Sequence, residues 1–121
     1  MKKEMVTAYI VVGSNIQPET NVPKALAALQ RYVEVTAVAS VYRTAPVGRP
    51  EQTDYLNTVW AVRTDRSPRE LKFTVLREIE TILGRVRSAD KFASRPIDLD
   101  VIMYGNLVVN DPDLVLPDPD M

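Results

Sequence analysis

The chain has 121 residues, 45% of them hydrophobic, with 15 basic against 16 acidic side chains and a formal net charge of -1. This length suits one domain with one core, and the balanced charge predicts neither a nucleic-acid nor a membrane partner. There is no cysteine and no histidine, which excludes disulfides, thiol nucleophiles and histidine bases, so any chemistry must use carboxylates, arginines, backbone groups or a bound metal.

The N-terminal half shows a strand, a helix and two further strands. Residues 6–12 form an apolar, β-branched run, which predicts a strand covered on both faces. The apolar spacing that begins at Val22 predicts an amphipathic helix ending near Tyr32. Residues 33–42 and 55–64 are rich in Val, Thr and aromatic residues, so each predicts a strand. The first apolar run is too short to span a membrane and lacks a signal-peptide pattern, so a cytoplasmic location is expected.

The C-terminal half begins with a clear helix start. Ser67 can cap the helix, Pro68 suits its first position, and Glu70 completes a capping box. The helix is expected to end at Gly84, in a left-handed conformation. Its buried stripe is predicted to comprise Leu71, Val75, Leu76, Ile79, Ile82 and Leu83. Residues 97–103 then predict a fourth strand.

Gly105-Asn106 predicts a tight turn that leads the fourth strand into residues 107–109, as a C-terminal hairpin. The proline-rich, acidic tail from Asn110 is expected to be irregular. The element order is β-α-β-β-α-β plus this hairpin. It indicates one α+β domain over residues 1–121, ferredoxin-like, with an antiparallel sheet and two helices packed on one face.

Asp98 and Asp100 are two positions apart on the fourth predicted strand, so both carboxylates should face the same side. The opposite side is expected to present Ile97, Leu99, Val101 and Met103. The two aspartate Cα atoms would lie roughly 6.5 to 7 Å apart, a separation at which carboxylates can share one magnesium ion or bridge two. For a lone Asp-x-Asp, however, solvation or pairing with arginine is the commoner explanation. Four basic residues precede the strand and favour phosphate binding beside the aspartates: Arg85, Arg87, Lys91 and Arg95.

Two weaker patterns complete the candidate site. Phe73, Arg77 and Glu80 share a helix face; Glu80 could contact a nucleotide, but the spacing alone favours a surface pair of Arg77 with Glu80. Tyr55 and Asn57 face the same way on the third predicted strand. A ring beside an amide suits a flat heterocycle, although core packing explains Tyr55 equally well.

Five blocks of sequence resemble the 6-hydroxymethyl-7,8-dihydropterin pyrophosphokinase family, in its order and spacing from Val6 to about Asp120. The blocks are VGSN (residues 12–15), SVYRT (40–44), DYLN (54–57), GRVR (84–87) and RPIDLD (95–100). The resemblance implies transfer of the β,γ-pyrophosphate of ATP to the pterin hydroxymethyl group, giving AMP and the pterin diphosphate in folate biosynthesis. It also implies two magnesium ions.

The same resemblance implies roles for individual residues. Asp98 and Asp100 would hold the metal, and Arg85 and Arg95 would assist the transfer. The pterin pocket would comprise Thr44, Val47, Tyr55 and Asn57. The nucleotide contacts would be Glu80, Arg87, Phe92 and Val101.

The chain departs from the usual family pattern at three positions, which are Arg77 (usually Gln), Phe92 (usually Trp) and Asp118 (usually His). Family members also usually continue for another strand and helix, so a C-terminally short member is expected. These departures keep open a second hypothesis, a pterin- or nucleotide-binding module of the same fold with impaired catalysis. A third hypothesis, a ferredoxin-like interaction or RNA-binding domain, is disfavoured by the pI near 5.4 and by the lack of an aromatic and basic sheet face. No pattern points to a protein partner.

Overall fold

The computed structural model describes residues 4–45, 48, 51–86 and 93–119. The strands are β1 (Val6–Ser14), β2 (Glu34–Val38), β3 (Tyr42–Thr44), β4 (Tyr55–Thr64), β5 (Asp98–Tyr104), β6 (Val109–Asp111) and β7 (Leu114–Leu116). Helix α1 is Pro18–Leu29, and helix α2 consists of three consecutive stretches, Pro68–Glu70, Leu71–Leu76 and Arg77–Ile82. The middle stretch of α2 is π-helical.

The main sheet is antiparallel and has the strand order β2-β4-β1-β5, with β3 also paired to β4. An antiparallel sheet with two helices confirms the α+β class. The prediction of a single strand over residues 33–42 is wrong, because regular pairing with β4 stops at Val38 and resumes at Tyr42, with one Ala39 N–H bond to the Val59 carbonyl between them. Both pieces pair with β4, which is long enough to accommodate them in succession.

The core lies between the helices and one face of the sheet. The sheet contributes Ala8, Ile10, Val12, Trp60, Val62, Leu99 and Val101, and the helices contribute Ala25, Leu29, Leu71, Val75, Leu76 and Ile79. On β1 and β4 these positions alternate with more exposed residues, which form the opposite, open face of the sheet. Within the described part of the chain, neither helix has the length and apolar character needed to cross a membrane.

Helix α2 begins as predicted, but its buried stripe differs from the predicted one. The Ser67 hydroxyl accepts a hydrogen bond from the Glu70 N–H at 3.1 Å, and Gly84 is left-handed with a φ of 94°. Ile82, however, is 66% exposed, so its assignment to the stripe is wrong. The apolar row continues from Ile79 to Leu83, which packs against the core, and Ile82 therefore turns to solvent.

Strand β5 contains a bulge that changes its alternation. Tyr9 pairs with Met103 and Ile10 pairs with Val101, so Ile102 is an extra residue on β5. As a result Tyr104, rather than the predicted Met103, is buried beyond the bulge. Before the bulge the predicted alternation holds.

The C-terminal hairpin is not the one predicted from Gly105-Asn106. Strand β5 ends at Tyr104, and β6 pairs instead with β7 in a separate two-stranded sheet. The prediction that the tail from Asn110 is irregular is therefore wrong, because this segment forms β6 and β7. The alternating Leu114 and Leu116 are buried, which explains why this segment is ordered against the core.

Candidate functional site

The open face of the sheet brings three candidate strands together at Gly13. The antiparallel register places Gly13 opposite Asn57 of β4 on one side and opposite Asp98 of β5 on the other. A Cβ atom at position 13 would lie 3.3 Å from the Asn57 Oδ1 atom and 3.6 Å from the Tyr55 ring. The missing side chain therefore leaves space between the Asn57 side and the Asp98 side.

A cavity of about 420 Å³ occupies this space. Its lining includes Thr44, Tyr55, Asn57, Arg95 and Asp98, which the sequence patterns had assigned to two separate groups. A volume of this size is typical of small-molecule sites. The fold thus joins the proposed heterocycle wall to the proposed phosphate and metal wall.

The heterocycle wall combines a ring with polar groups. The Asn57 Nδ2 atom donates a hydrogen bond to the Thr44 hydroxyl at 2.8 Å, which orients the amide. Burial raises the pKa of the Tyr55 phenol, while the positive charge of Arg95 acts in the opposite direction. Tyr55 therefore presents a neutral ring for stacking at physiological pH.

Basic side chains neutralise the acidic pair. Asp98 accepts hydrogen bonds from Arg85 Nη1 at 2.9 Å and from Arg95 Nη1 at 2.8 Å, one on each carboxylate oxygen. Asp100 Oδ1 lies 3.5 Å from the Lys72 ammonium and accepts a hydrogen bond from the Val101 N–H at 2.9 Å. Both aspartate side chains are partly exposed on the open face, as the strand alternation predicted.

Burial raises the pKa of Asp100, and the negative charge of Asp98 acts in the same direction. Lys72 and the Val101 N–H oppose this rise. The charged form of Asp100 is therefore unfavourable in free energy, and an added positive charge nearby would make it less so.

The donor set fits magnesium bound together with other ligands. No group of three acidic, histidine or cysteine side chains suited to a metal occurs among the described residues. Magnesium prefers oxygen donors and is commonly held by one or two carboxylates, with waters and substrate phosphates completing its coordination. Asp98 and Asp100 match that pattern.

Glu80 lies inside the protein, at 2% exposure, and the predicted surface pair with Arg77 is wrong. Its carboxylate forms an ion pair with Arg85 and accepts a hydrogen bond from the Leu99 N–H at 2.9 Å. The Arg77 guanidinium instead lies 5.0 Å from the centre of the Phe73 ring. Glu80 faces β5 because an edge strand presents N–H groups that need acceptors.

Among the predicted nucleotide and pterin contacts, Val101 is buried and three other residues lie outside the described part of the chain. Val101 is 2% exposed and belongs to the core, so its side chain points away from the site and its backbone alone is near it. Val47, Arg87 and Phe92 lie outside the described residues, so their proposed roles stay predictions.

Two of the residues at which the chain departs from the family pattern have described partners. The Arg77 guanidinium packs over the Phe73 ring, and the Asp118 N–H donates a hydrogen bond to the Ile102 carbonyl at 2.9 Å. That bond attaches the end of the described chain to strand β5.

Asn15 is a site residue to which sequence reasoning assigned no role. It is buried, its Oδ1 atom accepts the Arg95 N–H at 2.7 Å, and its own N–H donates to the Arg95 carbonyl at 3.0 Å. Its Nδ2 atom donates to the Gln52 side chain at 3.0 Å. Asn15 therefore holds the Arg95 backbone and one wall of the cavity at the end of β1. The available signal was a short amide residue directly after a buried strand, where backbone groups need side-chain partners.

Comparison with known proteins gives one consistent family. The family model for 7,8-dihydro-6-hydroxymethylpterin-pyrophosphokinase (HPPK) matches residues 9–121. The 2-amino-4-hydroxy-6-hydroxymethyldihydropteridine pyrophosphokinase of Haemophilus influenzae is 36% identical over 120 residues, covering 97% of this chain and 74% of that protein. The proteins of the same name from Bacillus subtilis and Synechocystis sp. are 37% and 38% identical. Each match covers 94% of this chain, with 69% and 58% of the respective relative.

Proposed function

Because the chain belongs to the 7,8-dihydro-6-hydroxymethylpterin-pyrophosphokinase family, we propose that it transfers pyrophosphate from ATP to 6-hydroxymethyl-7,8-dihydropterin. The products are AMP and the pterin diphosphate, in folate biosynthesis. The observation that carries this proposal is that one cavity brings Tyr55 and Asn57 beside Arg95 and Asp98. A transfer between two substrates requires their binding groups to be adjacent.

Transfer of a pyrophosphoryl group depends on alignment and charge neutralisation more than on a nucleophilic side chain. In the proposed mechanism, Asp98 and Asp100 would hold two magnesium ions, and bound magnesium would neutralise phosphate charge and help to align the reacting groups. The absence of histidine and cysteine is then no obstacle.

Arg85 and Arg95 are proposed to stabilise the transferring phosphates. Both guanidinium groups contact Asp98, and a guanidinium binds a phosphate by the same paired geometry with which it binds a carboxylate. Each arginine is also held by a buried residue, Arg85 by the Glu80 carboxylate and Arg95 by the backbone bonds to Asn15. Glu80 is thus assigned a positioning role.

For the pterin, Tyr55 supplies a stacking surface, and Asn57 with Thr44 supplies donors and acceptors at the heterocycle edge. Val47 is retained as a pocket residue, and Arg87 and Phe92 as nucleotide contacts, on the basis of the family pattern. The proposal also includes the type of fold and the location of the protein. The strand order and the placement of both helices support a ferredoxin-like fold, and the expected location is the cytoplasm.

The test is production of AMP from ATP and 6-hydroxymethyl-7,8-dihydropterin by the purified chain, with and without magnesium. We expect AMP and the pterin diphosphate in equal amounts, with turnover only when magnesium is present. Asp98→Ala should reduce turnover by about 100-fold or more, because it removes a metal ligand and the partner of both arginines. The control is Glu19→Ala, which changes an exposed acid on α1, and its turnover should equal that of the wild type.

Two results would contradict this function. A folded chain that forms no AMP with both substrates and magnesium is not the proposed enzyme, and calorimetric binding of either ligand without turnover would instead indicate a binding module. Full activity in Asp98→Ala would remove Asp98 from the metal site.

A further inference from the structure

Lys72 occupies a defined position beside the acidic pair, and no sequence pattern assigned it a function. Its ammonium lies 3.5 Å from Asp100 Oδ1, donates to the Asp113 carbonyl at 3.2 Å, and lies 5.4 Å from the centre of the Phe73 ring. The side chain is 23% exposed. Contacts on three sides distinguish it from a freely solvated surface lysine.

The position of Lys72 in the chain agrees with a role at the site. It lies in the π-helical stretch of α2, and such widened turns occur frequently at functional sites. This stretch packs against β5, the strand that carries Asp100.

The two aspartates differ in what neutralises them. Asp98 contacts Arg85 and Arg95, whereas Lys72 is the basic side chain in contact with Asp100 among the residues that the structure describes. A divalent cation that uses Asp100 as a ligand must therefore either repel this ammonium at close range or displace it. A bare cation offers the displaced ammonium no new anion, whereas a metal–triphosphate complex brings phosphate oxygens with it.

We propose that Lys72 is an internal counter-ion for Asp100, which makes the site accept a divalent metal together with its nucleotide in preference to the bare ion. This inference rests on the proposed function, because it takes Asp98 and Asp100 as metal ligands. Lys72 is a positioning residue in this scheme, since it acts on the metal through Asp100.

The experiment measures binding of Mn²⁺, as a paramagnetic substitute for magnesium, to the wild-type chain and to Lys72→Met. Electron paramagnetic resonance reports free Mn²⁺ directly and does not depend on turnover. Lys72→Met should bind bare Mn²⁺ about tenfold more tightly than the wild type, because a positive charge next to the ligand is removed. For Mn²⁺ with a non-hydrolysable ATP analogue, the gain should disappear.

The matched control is Arg77→Met. Arg77 lies on the same helix and packs on the same Phe73 ring, but within the described structure it forms no ion pair with Asp100. The substitution therefore removes one positive charge without changing the contacts of Asp100. Its affinity for bare Mn²⁺ should equal that of the wild type.

An unchanged or weaker Mn²⁺ affinity in Lys72→Met would overturn the inference, as would an equal gain in Arg77→Met. If the wild type forms AMP and binds Mn²⁺ with the same affinity as Lys72→Met, the inference alone fails. If neither protein binds Mn²⁺ and Asp98→Ala retains full AMP formation, the metal assignment of the proposed function fails with it.

Discussion

Asp100 illustrates how one residue can favour function at the expense of stability. Burial raises the pKa of its carboxyl group, and this effect outweighs the attraction of Lys72. A carboxyl group whose pKa is higher in the folded than in the unfolded protein contributes stability below its unfolded pKa. That contribution is lost as the pH rises through the folded pKa. At neutral pH the charge on Asp100 therefore destabilises the protein.

Asp100→Asn should accordingly increase the free energy of unfolding at pH 7, because it removes the charge and keeps the shape. The increase should shrink as the pH falls through the raised folded-state pKa of Asp100, because the wild-type carboxyl group then becomes protonated as well. Urea unfolding without metal, followed by fluorescence of the buried Trp60, measures the difference. Asp54→Asn controls for the loss of one charge. Equal stability of Asp100→Asn and wild type at pH 7 would contradict the destabilising role.

Between elements, Glu80 forms the polar connection from helix α2 to strand β5. It accepts the Leu99 N–H and pairs with Arg85, which in turn contacts Asp98. A buried carboxylate that satisfies an edge-strand N–H and a guanidinium stabilises both the packing of these elements and the geometry of the site.

Glu80→Gln should lower the free energy of unfolding by about 1–3 kcal/mol, because the amide can still accept from Leu99 but leaves Arg85 with one charged partner fewer. Turnover should fall as well, while affinity for the ATP analogue changes less, since Arg85 is proposed to act on the transferring group. Glu78→Gln, on the exposed side of the same helix, is the control. A Glu80→Gln variant as stable and active as Glu78→Gln would show that the connection is dispensable.

Across the whole molecule, the site joins segments that lie far apart in the chain. Thr44, Asn57 and Asp98 come from three strands, and Asn15 binds a residue 80 positions away. Such a site exists only when the complete sheet is formed, so ligands that occupy it should bind the native state alone.

Magnesium with a non-hydrolysable ATP analogue should therefore raise the melting temperature of the wild-type chain. At a ligand concentration of 100 times the dissociation constant the stabilisation is about 2.7 kcal/mol. Differential scanning calorimetry measures the shift, and the same analogue with EDTA should produce a much smaller one. A comparable shift in Asp98→Ala would mean that the nucleotide binds without the proposed metal ligand.

Local patterns predicted much of the fold and part of the site. The third predicted strand matches β4 over Tyr55–Thr64, Ser67 caps α2, and Gly84 adopts the left-handed conformation. Asp98 and Asp100 share the open face, as the alternation required. These features depend on backbone geometry and on side chains at most four positions apart, which the amino-acid sequence determines by itself.

The tertiary structure alone decided the division of residues 33–42 between two strands, the bulge in β5, and the pairing of β6 with β7. It also decided that Glu80 is buried against Arg85 and that Lys72 contacts Asp100. Each of these outcomes depends on a partner distant in sequence, such as Leu99, which lies 19 positions from Glu80. Burial and charge pairing are set by what the folded chain brings near a residue, and periodicity carries no information about that neighbour.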